Sequence, residues 1–411
     1  MAGGPQHASV PPMKLLVIHQ NFPGQFGRLV RAWAARPGWE VRGLGRDSAP
    51  GLPGFAALTR YRLVREPAPS QHHYLRQMER AVLHGQAAIR AMLAMKADGF
   101  RPDAVLAHPG WGETLYIRGV FPEARLIHLA EWYYATAGAD VGFDPEFPAT
   151  MDDRARVTTW NAVHALNLTH CDAAVAPTHW QRDSHPEIFR PRMSVQHEGI
   201  DVAMLAGFRG AEGIRTPNGA DLRKGDEVVT FVARNLEPYR GFHVFMRALA
   251  VAQRANPRLH ALVIGGDGVS YGRPPAGAST WRERMLAEVS VDPSRTHFLG
   301  RVPYQEFLQC LQVASAHVYL SYPFVLSWSM LEAAACGVPI IGSDTAPVRE
   351  FIEDGISGRL VDFFDVPELG RTMASLPELP LARYAEAARA RVSALDTAHA
   401  LQGYDRLLRH G

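Results

Sequence analysis

The sequence predicts two Rossmann-like α/β domains whose parallel sheets face a central cleft. Three observations carry this. At 411 residues the chain is too long for one ordinary domain and fits two of roughly 150–200 residues each. Short apolar runs alternate with longer amphipathic stretches, the pattern of βαβ units and parallel sheets. That alternation stops once, in a polar and glycine-rich segment, and then restarts.

In the first half the strand-like runs are Leu15–His19, Val41–Leu44, Ala104–Ala107, Leu126–Leu129, Ala173–Ala176 and Ser194–His197. Amphipathic stretches such as Phe26–Ala35 and Leu75–Met95 lie between them. Residues 202–226 include AGFRGAEGIRTPNGADLRKGD, whose composition marks a linker or surface loop. The runs resume at Val228–Ala233, Ala261–Ile264, Thr296–Leu299, Ala316–Leu320 and Pro339–Gly342. The expected organisation is therefore a disordered leader (1–12, with Met13 as a natural start), a first domain (13–201), the linker and a second domain (227–380). Residues 381–411 are alanine-rich and helical, suited to packing back on the first domain.

Composition excludes several classes. Hydrophobic residues make up 47% and charged residues 20%, which fits a globular protein with large cores. A net charge of +2 makes no bulk electrostatic case for nucleic acid. Positive charge is nearly all arginine, the lysines being Lys14, Lys96 and Lys224. Arginine suits phosphate recognition, although codon composition explains the bias equally well. The three cysteines, Cys171, Cys310 and Cys336, are far apart and form no CxxC pair. That argues against a disulfide framework or zinc site and for a reducing, cytoplasmic setting. No apolar run reaches the roughly 18 residues that span a bilayer, and the N-terminus lacks a signal peptide's pattern. Peripheral membrane contact stays open.

The richest segment is EVVTFVARNLEPYRGF. Arg234 stands at the end of a strand, and Arg240 follows across a loop containing Pro238. A diphosphate leaving group gains charge as its bond to a sugar breaks, and guanidinium forks can stabilise it. A pair of solvated surface arginines is an equally good reading of these two residues alone. Further on, Ser327 is placed to cap a helix around Ser329–Cys336, and Gly337 to stop it. The free N–H groups at that helix start suit phosphate oxygens. Glu332 lies within an apolar helix, where a carboxylate needs hydrogen bonds. A ribose diol supplies two, and a structural arginine partner is the alternative.

The run LEAAACGVPIIGSDTAPVREFIEDGISGRLV resembles the signature of the family-4 retaining glycosyltransferases of GT-B fold. Those enzymes carry two glutamates separated by seven residues, the second within a sequence like LEAMACG. The opening KLLVIHQNFPGQFGRLV and the segment HEGID resemble family elements too, so the likeness runs from about Lys14 to Phe364. It implies an acceptor-binding first domain and a second domain for a UDP- or GDP-sugar. Glu332 would then hold the ribose hydroxyls, and Arg234 and Arg240 the diphosphate. Thr345 and Ala346 would offer backbone N–H groups, and Glu350 matches an acidic residue of the following turn. The family's second basic residue is commonly lysine and one position closer. The first glutamate of the pair should stand at 324, where this chain has Phe324, so contact with the donor sugar must rest elsewhere.

The first domain supplies further candidates. His19-Gln20-Asn21-Phe22-Pro23-Gly24 opens a helix, and Gly24 allows close backbone approach to a donor. His108 follows a strand with Trp111 and Glu113 beside it, placed to bind the donor sugar or move a proton. A satisfied structural histidine is the other reading. Glu131 and Tyr133 follow the next strand and, with Trp111, could line an acceptor groove or simply pack. Asp140, Asp144, Asp152 and Asp153 form no Asp-x-Asp motif, so neither metal nor cofactor is implied, and the nucleotide-sugar is a substrate.

The expected function is sugar transfer from a nucleotide-diphosphate donor to an unidentified acceptor (glycan, lipid carrier, protein or natural product), with retention and without metal. A GT-B-like nucleotide-binding protein without turnover is the alternative that Phe324 keeps open. A nicotinamide oxidoreductase fits less well. The turn Gly265-Gly266-Asp267-Gly268 lacks the later glycine of GxGxxG, and no ribose-binding acid follows.

Overall fold

A computed structural model describes residues 12–210 and 212–409. Of the expected leader at residues 1–12, residues 1–11 lie outside the described residues. The chain forms two compact units. The first comprises residues up to Thr136, then Ala149–Gly199 and the chain from Thr397 onward; the second comprises Ala137–Pro148 and Ile200–Asp396.

The first unit holds seven parallel strands: β1 (Met13–Ile18), β2 (Trp39–Arg46), β3 (Leu58–Tyr61), β4 (Ala104–Ala107), β5 (Arg125–Leu129), β6 (Ala173–Ala176) and β7 (Met193–Val195). Their order is β3-β2-β1-β4-β5-β6-β7. Residues Leu15 to Ile18 are fully buried, as expected of parallel strands covered on both faces. The expected apolar runs lie on these strands to within a few residues. β3 went unread because its residues, LTRY, show little of the usual apolar pattern.

The second unit adds a two-stranded antiparallel ribbon, β8 (Gly213–Arg215) with β9 (Asp221–Arg223). Its main sheet contains β10 (Val228–Asn235), β11 (His260–Gly266), β12 (Thr296–Gly300), β13 (Ala316–Tyr319), β14 (Ile340–Ser343) and β15 (Arg359–Val361). The order is β12-β11-β10-β13-β14-β15, again all parallel. Both sheets therefore grow one way from their first strand and then reverse, which opens a crevice beyond the strand ends at the switch point.

Three departures from the sequence reading stand out. The segment 202–226 is no bare linker. It contains the helix Val202–Gly207 and the β8–β9 ribbon, and it buries Leu205 and Leu222 beside Leu262 and Leu308. Glycines and charges between these few inward residues hid the pattern. The C-terminal helices divide between the units. In the helix Leu381–Val392, Ala388 and Val392 join the second unit's core. In the helix Thr397–Arg409, Ala400, Tyr404 and Leu408 join Trp33 and Val17 in the first.

The third departure is Ala137–Pro148, which belongs to the second unit although the chain on either side belongs to the first. Its anchors are specific. Phe143 packs edge-on to Phe363 at 5.3 Å, and Phe147 packs edge-on to Trp281 at 5.4 Å. Asp144 is buried and accepts hydrogen bonds from His243 Nε2 (2.9 Å) and the Tyr322 hydroxyl (2.7 Å). Burial alone pushes the Asp144 carboxyl up, but these two donors outweigh it and hold it below the ordinary range.

A carboxylate depressed on folding stabilises the fold above its unfolded pKa, and that stability is lost as pH falls through the folded value. Asp144→Ala, which strands two buried partners, should cost about 3 kcal/mol. Asp144→Asn, which can still accept from Tyr322, should cost less. Denaturant titration at pH 7 and below pH 4 checks this, and the variants should converge with wild type on acidification.

Candidate functional site

In the second unit, candidates gather at the switch point beyond β10 and β13. The turn Pro238–Arg240 ends at Gly241, whose left-handed backbone (φ 71°) redirects the chain. A side chain at Gly241 would strike Leu320, so only glycine fits this close approach. The turn carries Arg240 inward. Its Nη1 donates to Ser321 Oγ (2.9 Å), to the Val325 carbonyl (2.8 Å) and to the Tyr319 hydroxyl (3.3 Å).

Arg240 is 9% exposed, yet no carboxylate of the described residues lies within ion-pairing distance of it. Burial works against its charge, but Tyr319, Tyr271 and Glu237 outweigh that and raise its pKa. Its guanidinium also stands 5.6 Å from the Tyr271 ring and 5.9 Å from the Phe324 ring. A cation held by uncharged acceptors and ring faces keeps the capacity to pair with an anionic ligand.

Polar contacts continue from Arg240. The Ser321 N–H meets Ser343 Oγ at 3.3 Å, and Ser343 Oγ lies 3.2 Å from Thr345 Oγ1. The Tyr319 hydroxyl also accepts from the Ser327 N–H at 2.7 Å. Ser327 caps the helix Trp328–Cys336 through the Ser329 N–H, and Gly337 closes it in the left-handed conformation. Arg240, Ser327 and Thr345 are thus brought together. Glu332 is buried on the same helix and accepts from the Tyr304 hydroxyl at 2.9 Å.

The remaining candidates of this unit are placed differently. Arg234 is exposed on β10, and Asn235 is the residue drawn inward there, taking a hydrogen bond from Arg301 at 2.8 Å. Ala346 is exposed in a four-residue helix with Glu350 at its end. Phe324 is buried and meets Tyr271 edge-on at 5.1 Å and Tyr239 at 5.8 Å. It completes an aromatic wall beside Arg240. Glu237 was missed by sequence reasoning. Fully buried, it accepts from the N–H groups of Ser270, Tyr271 and Gly272 and so shapes the loop that carries Tyr271.

In the first unit, His19 and His108 follow the adjacent strands β1 and β4. Each ring accepts at Nδ1 from the N–H two residues on, Asn21 (3.0 Å) and Gly110 (3.1 Å). Nε2 must then carry the proton. His19 donates it to Gln25 Oε1 at 2.8 Å, and His108 donates it to Glu131 Oε2 at 2.9 Å. Gln25 in turn donates to Glu131 Oε1 at 2.6 Å.

Burial pushes the Glu131 carboxyl up, but His108, His19 and Gln25 outweigh it and hold it down. Both nitrogens of His108 are therefore engaged within the chain, and His108 positions Glu131. Gly24 is needed because the His19 ring occupies the space of a Cβ. Trp111, half-buried, stacks on His108 at 4.3 Å. Tyr133 faces His185 at 5.7 Å instead of joining this cluster.

Among the described residues no three His, Cys, Asp or Glu side chains gather as a metal would require. No helix among them is long and apolar enough to cross a membrane.

Comparison with known proteins points one way. A family model described as "Glycosyl transferase family 4 group" matches residues 37–205, and one described as "Glycosyl transferases group 1" matches 215–391. The chain is 26% identical over 226 residues to D-inositol 3-phosphate glycosyltransferase of Mycolicibacterium vanbaalenii, covering 53% of this chain and 48% of that protein. It is 28% identical over 324 residues to glycogen synthase of Mycobacterium tuberculosis, covering 75% and 70%. The chain spans about half the length of the D-inositol 3-phosphate glycosyltransferases it matches. Among solved structures, Anabaena HepE with UDP-glucose superposes with a TM-score of 0.64 at 16% identity, over 96% of this chain and 99% of that one. Sucrose-phosphate synthase of Thermosynechococcus elongatus gives 0.66 at 17%, over 95% and 97%. At such identities these structures establish the fold alone.

Arg240 satisfies three acceptors and its surroundings favour its charge on balance, and Glu237 satisfies three N–H groups. Arg240→Met should therefore lose about 1–3 kcal/mol by leaving those acceptors without a donor. Glu237→Ala should lose about 2 kcal/mol or more by orphaning three N–H groups. Calorimetry of both variants checks both losses.

Proposed function

Because this chain belongs to the family-4 glycosyltransferases of GT-B fold, we propose that it transfers a hexosyl group from a nucleoside-diphosphate sugar to an acceptor hydroxyl. UDP-glucose is the first donor to test, since HepE is described in complex with it. The observation that carries this reading is Arg240, a buried cation with neutral partners at the switch point of the second sheet. The cluster of Arg240, Ser321, Ser327 and Thr345 supplies donors to a diphosphate, and the N–H groups that start the helix Trp328–Cys336 add to them. Glu332, with Tyr304 beside it, accepts from the ribose hydroxyls. Thr345 and Ala346 take the sugar or phosphate side, as does the neighbourhood of Glu350. Arg234, exposed and lacking any ion pair among the described residues, acts at the rim.

The acceptor oxygen forms its bond to the anomeric carbon as the bond to the diphosphate breaks. The hydroxyl proton leaves with the diphosphate, on the same face, so the anomeric configuration is retained and no enzymic nucleophile is used. Arg240 carries the developing charge without requiring a metal. In the first unit Trp111 offers a ring face to a sugar, and Glu131, held by His108, offers an acceptor oxygen.

Incubation with a panel of UDP- and GDP-sugars, with nucleotide release followed by mass spectrometry, tests the reading. Release should persist in EDTA, and NMR of the product should show the donor's anomeric configuration. Arg240→Ala should lower kcat/KM by about 10²-fold or more, and Glu332→Ala should weaken UDP binding by about 10- to 100-fold. Wild-type UDP affinity in both variants would refute the site. The rival, nucleotide binding without turnover, is favoured by buried Phe324 where the family has glutamate. UDP binding with no release under any donor and acceptor would establish it.

A further inference from the structure

Two helices of the second unit bring a phenol against the buried carboxylate of Glu332. Tyr304 opens the helix Tyr304–Val313 shortly after β12, and Glu332 lies on the helix Trp328–Cys336 that follows β13. The strands are parallel, so both helices begin beyond the same edge of the sheet. Gly300, at the end of β12, turns the chain there with a left-handed backbone (φ 67°). Phe307 follows Tyr304 by one turn and is buried in the same core cluster as Met330 and Leu331. The Tyr304 ring stands 5.9 Å from the Phe307 ring, so packing in that core fixes the phenol relative to Glu332.

At the contact the Tyr304 hydroxyl donates to Glu332 Oε1 at 2.9 Å. The two side chains differ sharply in access to solvent. Glu332 is 5% exposed, whereas Tyr304 is 42% exposed. A ligand that reaches the carboxylate therefore meets the phenol as well. Asp144 shows the contrasting arrangement of a structural carboxylate: its donors His243 and Tyr322 are as buried as Asp144 itself. A phenol that donates its one proton keeps acceptor lone pairs on its oxygen. One anionic and one phenolic oxygen thus stand 2.9 Å apart, a spacing like that of two hydroxyl oxygens on adjacent ring carbons.

We propose that Tyr304 is a specificity-determining residue: with Glu332 it forms a two-oxygen clamp for the ribose diol. The clamp makes the protein select ribonucleoside diphosphate sugars over their deoxyribonucleoside counterparts. One ribose hydroxyl donates to the Tyr304 oxygen and the other to Glu332. A deoxynucleotide leaves one of the two acceptors facing a C–H group, and a site built to take a hydroxyl penalises its loss. This deepens the donor reading above and rests on it, since that reading places the ribose at Glu332.

The experiment is calorimetric titration of the full chain with UDP, 2′-deoxy-UDP and 3′-deoxy-UDP, in wild type and in Tyr304→Phe. Wild type should bind UDP about tenfold or more tighter than either deoxy analogue. Tyr304→Phe keeps the ring against Phe307 and removes only the hydroxyl. It should weaken UDP about tenfold yet leave one deoxy analogue within about twofold, because that analogue already lacks the hydroxyl that faces Tyr304. Equal weakening of all three ligands would mark a merely structural residue and overturn the proposal. So would unchanged affinities in the variant, or a wild type that does not distinguish UDP from its deoxy analogues. A wild type that binds none of the three would instead sink the donor reading, and this inference with it.

Discussion

Parallel strands can be joined only by crossovers that cover the sheet faces, and reversing the direction of winding leaves a crevice at one edge of the first strand. Both units of this chain obey that constraint with the same order, β3-β2-β1-β4 in one and β12-β11-β10-β13 in the other. Everything chemically notable in either unit hangs from those two reversals. His19 and His108 leave the strand pair β1–β4, and Arg240 and Ser321 follow the pair β10–β13. Because the strands are buried on both faces, polar side chains able to reach a ligand are confined to these ends.

The two clusters solve opposite electrostatic problems. Around Glu131 the protein supplies its own counter-groups: the His108 imidazole and the Gln25 amide hydrogen-bond the carboxylate, and its pKa stays low in spite of burial. Around Arg240, hydroxyls, a carbonyl and aromatic rings surround the guanidinium, and no carboxylate of the described residues lies within ion-pairing distance.

Much was legible in the sequence because it is local. Apolar runs marked most strands, and a helix start and stop around Ser327 and Gly337 were visible from residue type alone. Resemblance then identified the family. What escaped reading was polar or short. β3 and the β8–β9 ribbon bury few residues each, so periodicity had little to act on. Phe143 and Phe147 sit in an unremarkable loop, and only their partners Phe363 and Trp281 reveal that the segment belongs to the second unit.

The sequence by itself determined the class of fold, the family, and which residue types stand at strand ends, since each depends on neighbours along the chain. Tertiary structure decided which of them face inward: Arg240 is buried and Arg234 exposed although they are six positions apart, and His108 spends both nitrogens on partners. It also set the Tyr304 hydroxyl against Glu332, 28 positions further along the chain. A contact between side chains of two helices depends on how those helices pack, and spacing along a chain does not encode it.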